Sequence, residues 1–239
     1  HVRRGKRCIC WHASLSIQGM QEIQGTEAMF RFSAVIPCYN DGQYLPETIA
    51  KLSQQTYQNF EVIVVNDGSK DDSIPVLKAA FDLNEKPWDY KENIPTKEVK
   101  AIYRSANPAY SRLIVVDKFN GGKADALNTG INVSNNPYIV CIDVDCIMDK
   151  DVLLKLAKPY LEQSDKKIIA TGGVVRIANS CIIKSGKLVE VKAPDNFLAR
   201  VQVIEYLRAF ILGRMAWSKM DGLLIISGAF GMFDREIAI

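Results

Sequence analysis

The sequence predicts an α/β protein with a mostly parallel central sheet flanked by helices. Two observations carry this. Short apolar runs rich in β-branched residues recur at Phe32–Pro37, Phe60–Val65 and Tyr138–Ile142, the pattern of strands buried on both faces. Segments with helical spacing alternate with them, and strand–helix alternation builds parallel sheets. Right-handed crossovers then gather the strand ends on one edge, where open α/β sheets bind their ligands.

Composition sets the outer limits. The 239 residues are 48% hydrophobic and 24% charged, with a net charge of +3. That is ordinary for a globular chain. The charge is too small, and no basic block carries interleaved aromatics, so nucleic acid is not an expected partner. The six cysteines lack a disulfide-like spacing, which suits reduced thiols in a cytosolic compartment. No apolar run reaches the ~18 residues that span a bilayer. The chain begins at His1 rather than Met, and is read as a fragment or a processed product.

Residues 1–29 read as an N-terminal arm, helical, or a leader. Arg3, Arg4, Lys6 and Arg7 precede a mixed segment too polar for a signal-peptide core. Cys8, Cys10 and His12 match no common zinc spacing. The domain proper covers 30–239. After the strand Phe32–Pro37 and the loop Cys38–Gly42, Leu45, Ile49 and Leu52 place a helix over 44–55. The strand Phe60–Val65 is closed by Asn66-Asp67-Gly68-Ser69, and a helix from about Asp72 to Phe81 follows. Residues 83–98 are a polar excursion. Short strands are expected at Val99–Tyr103 and Leu113–Val116. Phe119-Asn-Gly-Gly-Lys-Ala-Asp125 is a glycine turn opening a helix.

The central strand ends in Asp143 and Asp145, one residue apart. In an extended backbone they share a side. Buried unpaired, they are costly; a divalent cation with oxygen ligands and a phosphate resolves that cost. Solvated acids after a strand are the plain alternative. Beyond lie a helix over 149–161, a strand over 167–175 and a strand at Leu223–Ile226. Between the two strands, 197–220 is a broad-faced apolar helix with mostly basic charges, Arg200, Arg208, Arg214 and Lys219 against Glu205. Either it packs against a partner or further protein, or it lies in a membrane interface.

Four pieces in this order resemble the family 2 glycosyltransferases of the GT-A fold: Val35-Ile-Pro-Cys-Tyr-Asn-Asp41, Val64-Val-Asn-Asp-Gly-Ser69, Asn120-Gly-Gly-Lys-Ala-Asp-Ala-Leu-Asn128 and Asp143-Val-Asp145. The likeness covers 32–239 and is nearest to the membrane-associated hyaluronan, chitin-oligosaccharide and poly-N-acetylglucosamine synthases. Ser227-Gly-Ala-Phe-Gly231 resembles their loop beneath the acceptor. The resemblance implies a nucleotide-sugar-binding half (30–147) and the truncated start of an acceptor half (148–239). It implies a UDP-linked donor, a saccharide or lipid-linked acceptor, and inversion at the transferred sugar. Pro37, Tyr39 and Asp41 then floor and rim the nucleoside pocket, and Asp67 accepts from the uracil edge. Gly121 and Gly122 let the backbone approach the diphosphate and Lys123 adds charge to it. Asp125 holds the ribose or base. Asp143 faces the nucleotide sugar and Asp145 coordinates Mg²⁺ or Mn²⁺. The family's general base lies beyond the Gly-Ala-Phe-Gly loop, and Asp234 and Glu236 sit too near that loop to replace it. The implied place is the cytoplasmic face of a cell membrane, within a longer protein. A haloacid-dehalogenase-like phosphatase and a non-catalytic nucleotide-binding or assembly module are the alternatives.

Overall fold

A computed structural model describes residues 8–11, 30–162, 167–177, 181–184, 187–190, 192–214, 217, 226 and 230–239. Its first strand is β1 (Cys8–Trp11). Then come β2 (Phe32–Cys38), a single 3₁₀ turn, α1 (Leu45–Leu52), β3 (Phe60–Asp67), α2 (Ser73–Phe81), β4 (Leu83–Glu85), β5 (Val99–Ser105) and β6 (Leu113–Lys118). The chain continues with α3 (Lys123–Val133), β7 (Tyr138–Ile142), β8 (Cys146–Met148), α4 (Val152–Leu161), β9 (Ala170–Gly172) and β10 (Val174–Ile177). After the hairpin β11 (Ile182–Lys184) and β12 (Lys187–Glu190) come α5 (Phe197–Leu207), a π-helical stretch Arg208–Arg214, β13 (Phe230–Asp234) and α6 (Arg235–Ala238).

Among the described residues an eight-stranded sheet has the order β4-β5-β6-β3-β2-β7-β13-β9. Its centre, β6-β3-β2-β7, is parallel. Both margins are antiparallel, so the sheet is mixed where strand–helix alternation suggested a mostly parallel one. On the β4 side the reason is local: β4, β5 and β6 are joined by connections without a crossover helix, and only crossovers make parallel pairs.

Side chains of the central strands alternate between two apolar layers. Phe32, Ala34, Ile36, Val62 and Val64 face α1, α2 and α4. Val35, Ile63 and Val65 face α3. Burial on both faces is why these strands read as continuous apolar runs. Each such side chain contributes about 1.5–3 kcal/mol when fully buried, and a one-residue slip would exchange the faces. The layer on α3 is completed by the 86–98 segment through Trp88, Tyr90 and Ile94. The buried Asn132 side chain holds that segment by accepting from Asn93 N–H and Ile94 N–H, both at 3.1 Å, and donating to the Ile94 carbonyl at 2.7 Å. The polar excursion is therefore a strap on the sheet's thinner face.

Three expectations change. Residues 8–11 form a strand, not a helical arm, between β10 and β8 in a second sheet. The strand expected over 167–175 divides into β9 and β10, which belong to different sheets. The 197–220 helix ends at Leu207 and passes into a π-helical stretch; Phe197, Leu198, Ile204 and Leu212 are exposed. Arg200 and Arg208 lie beside them, also exposed. The expected strand Leu223–Ile226 and the start of the Ser227–Gly231 loop lie outside the described residues, Ile226 excepted. Among the described residues no helix is long and apolar enough to cross a membrane.

Candidate active site

In the chain order β2, β3, β6, strands are added outward on one side; β7 then returns to the other side of β2. The crevice between β2 and β7 is the topological switch point, where α/β sheets bind ligands. A cleft of about 520 Å³ lies at the ends of these strands. Pro37, Tyr39 and Asp41 line one wall, Gly122 and Lys123 another, and Asp143, Val144 and Asp145 the floor of the β7 side. Eight residues expected from the sequence thus meet: the eight just named less Val144, together with Asp67.

The acids do not continue the strand. Asp143 to Cys146 is a turn, closed by Cys146 N–H donating to the Asp143 carbonyl at 3.0 Å. The extended-strand geometry expected for them is corrected by that bond. The turn is held from α1, whose buried Thr48 hydroxyl donates to the Val144 carbonyl at 2.8 Å. Lys123 Nζ reaches Asp143 Oδ1 at 2.6 Å, joining the start of α3 to the end of β7. Asp145 has no cation within ion-pair reach among the described residues. Burial first, then Asp143, push its carboxyl above the ordinary range, with Asp41 adding to the effect. Asp41 is raised likewise, by burial and then Asp71. A half-buried carboxylate set with excess negative charge is one that a divalent cation with oxygen ligands would hold. Asp143 and Asp145 offer the oxygen donors such an ion takes, though among the described residues no group of three or more acids, cysteines or histidines gathers that could hold one.

Cys38 lines the cleft and Cys141 lies on β7, two residues before Asp143; burial pushes each thiol up to about 11. Both stay protonated near neutral pH and are poor nucleophiles.

Two residues with roles expected from the sequence are held by protein partners. Asp67 is buried and its carboxylate is filled by protein donors. Oδ1 accepts from Gly121 N–H at 2.9 Å and Lys118 Nζ at 3.0 Å; Oδ2 accepts from Gly122 N–H at 2.8 Å and Asn120 Nδ2 at 3.2 Å. With two bonds to each oxygen, little is left for a nucleobase. The same bonds occupy the two glycine amides expected to cradle phosphate. Asp125 does not line the cleft; it binds Lys118 and accepts from Lys97 N–H at 3.0 Å. The residues missed by sequence reading are Asn120, Thr48 and Lys118. A lysine closing an apolar strand was a visible signal for the last; its partners were not.

Gly68 and Gly122 have φ of +66° and +90°. A Cβ on Gly68 would lie 2.7 Å from Asn120 N, so the turn after β3 and the loop after β6 touch backbone to backbone. Asn40, with φ of +55°, accepts from Lys70 N–H at 2.7 Å and ties the loop after β2 to the same turn.

Asp234 and Glu236 lie away from the cleft. β13 runs antiparallel to β7 and sets Asp234 opposite Tyr138, at the end remote from Asp143. Asp234 caps α6 through Glu236 N–H and pairs with Lys167 at 2.9 Å.

The model of the family described as "Glycosyl transferase family 2" matches residues 33–237. A poly-β-1,6-N-acetyl-D-glucosamine synthase of Staphylococcus epidermidis is 26% identical over 218 residues, 90% of this chain and 41% of that protein. The Staphylococcus aureus enzyme of that name is 25% identical over 206 residues, 86% of this chain and 40% of its own length. The chain thus spans about two fifths of these relatives. Among solved structures, a mannosyltransferase of Pyrobaculum calidifontis in complex with GDP-Man and Mn²⁺ superposes with a TM-score of 0.52 at 19% identity, over 87% of this chain and 46% of that one. A mycobacterial protein gives 0.51 at 16% identity, over 99% and 64%. Both show a shared fold. With its α/β architecture of the GT-A type and a family match over nearly its whole length, the chain belongs to glycosyltransferase family 2.

Proposed function

We propose that this chain is the donor-binding part of an inverting, divalent-metal-dependent enzyme that moves a sugar from a nucleotide diphosphate sugar to an acceptor hydroxyl. The observation that supports this best is the cleft at the switch point, where Lys123, Asp143 and Asp145 converge from α3 and the turn after β7. Pro37, Tyr39 and Asp41 wall the nucleoside end, and Lys123 meets the diphosphate. For that, Lys123 exchanges Asp143 for phosphate oxygen. Asp145, with Asp143, would hold the Mg²⁺ or Mn²⁺, which would supply Lewis-acid stabilisation of the charge developing on the leaving nucleoside diphosphate. The acceptor's proton needs a general base. Asp234 and Glu236 do not reach the cleft, so that base is proposed to lie outside the described residues.

UDP is the proposed nucleotide and UDP-N-acetylglucosamine the first donor to test, because the relatives are named as N-acetylglucosamine polymer synthases. The acceptor class is a growing saccharide or a lipid-linked sugar. The exposed apolar face of α5, flanked by Arg200 and Arg208, suits contact with a membrane surface at the cytoplasmic side. Calorimetric titration of UDP, UDP-N-acetylglucosamine and GDP-mannose, with Mn²⁺ and with chelator, tests the reading. Metal-dependent UDP binding that is lost in Asp145→Ala is expected. A folded chain that binds none of these nucleotides refutes it.

A further inference from the structure

Lys118 closes β6, and its side chain has no exposure to solvent. A lysine is rarely buried so completely unless it is paired. Here its three donors meet three acceptors. Asp67 Oδ1 lies at 3.0 Å, the Phe119 carbonyl at 2.7 Å, and Asp125 Oδ1 makes a short ion pair. Asp67 and Lys118 are also direct partners across the β3–β6 pair.

The two carboxylates lead in different directions. Asp67 spends its other bonds on Asn120, Gly121 and Gly122, the loop that precedes α3. Asp125, in the first turn of α3, accepts from Lys97 N–H on the 86–98 strap. One ammonium therefore joins the end of β3, the loop, the start of α3 and the strap. The residue that follows this loop is Lys123, which reaches across the cleft to Asp143.

We propose that Lys118 is a positioning residue for the donor site: by tethering Asp67 to Asp125 it fixes the 119–122 loop and so the placement of Lys123. This rests on the donor-site reading above. Lys118 does not line the cleft and acts through its two carboxylates. Without it they keep like charges with no cation between them, and the loop loses its anchor to α3. A purely space-filling lysine would be replaced by methionine at no cost to binding.

The test compares wild type, Lys118→Met and Lys118→Met/Asp125→Asn. The double variant has the wild type's local net charge but no tether, which separates positioning from charge balance and relieves repulsion in case the single variant unfolds. UDP affinity is measured calorimetrically with Mg²⁺, and amide exchange of 119–123 is followed in the nucleotide-free protein. Both variants are expected to bind UDP about tenfold or more weakly, with faster exchange at 119–123, and the double variant melts closer to wild type than the single one. Binding within about twofold of wild type by either folded variant, or unchanged exchange at 119–123, overturns the proposal. If wild type itself binds no nucleotide, the donor-site reading fails first and this inference falls with it.

Discussion

Thr48→Val isolates the bond that carries the acid turn. Thr48 is 4% exposed and Val144 7%, and the hydroxyl donates to the carbonyl between the two aspartates at 2.8 Å. Valine has the shape of threonine, so no cavity opens. What is lost is one hydrogen bond, and what remains is a buried carbonyl without its donor. Together these cost about 1–3 kcal/mol. The new methyl also stands where a carbon cannot approach oxygen as closely as a hydroxyl does, so the turn moves off α1. Urea denaturation is the assay: the midpoint should fall while the slope stays constant. Thr48→Ser, which keeps the hydroxyl, is the control. It loses a buried methyl, roughly 1 kcal/mol, but retains the turn. Mn²⁺ should therefore raise the melting temperature of the serine variant as in wild type, and less in the valine variant. A valine variant within about 0.5 kcal/mol of wild type, or one with a full Mn²⁺ response, would show that α1 does not hold the turn.

Other outcomes follow from the same geometry. Gly68→Ala forces a side chain into a left-handed conformation and against Asn120 N; a loss of roughly 1–3 kcal/mol is expected in urea, with weaker UDP binding. Lys123→Met breaks a half-exposed pair, so melting should change by less than about 1 kcal/mol, while calorimetry should show UDP affinity falling roughly tenfold or more. Asp145→Asn bears on pH. The Asp145 carboxyl is raised from 3.8 in the folded chain, so folded protein holds the extra proton just above that value and stability falls as pH rises through this window. The asparagine variant should lose that part of the slope in melts from acid to neutral pH, and should be the more stable at pH 7 without metal. Asn132→Leu removes three bonds to the strap, and limited proteolysis should then cut within 86–98 while wild type stays intact.

The sequence by itself determined the central strands, the helices between them and the residues that meet in the cleft. Apolar runs of β-branched residues have one economical fate, burial on both faces of a parallel sheet. The motifs at Val35–Asp41, Val64–Ser69, Asn120–Asn128 and Asp143–Asp145 sit at strand ends or a helix start, so they were bound to share an edge. The margins of the sheet, the strand at Cys8–Trp11 and the strap were decided by tertiary contacts. The strand Cys8–Trp11 pairs with β8 and β10, far along the chain, and four residues carry too little periodicity to announce it; the strap is polar and reads as a loop until Asn132 holds it. The same reason separates Lys123 from Lys118. Both are lysines near one glycine turn, and composition would place either in solvent. Only the β3–β6 register, which sets Lys118 opposite Asp67 and encloses it, makes the one a buried tether and leaves the other free to reach across the cleft to Asp143.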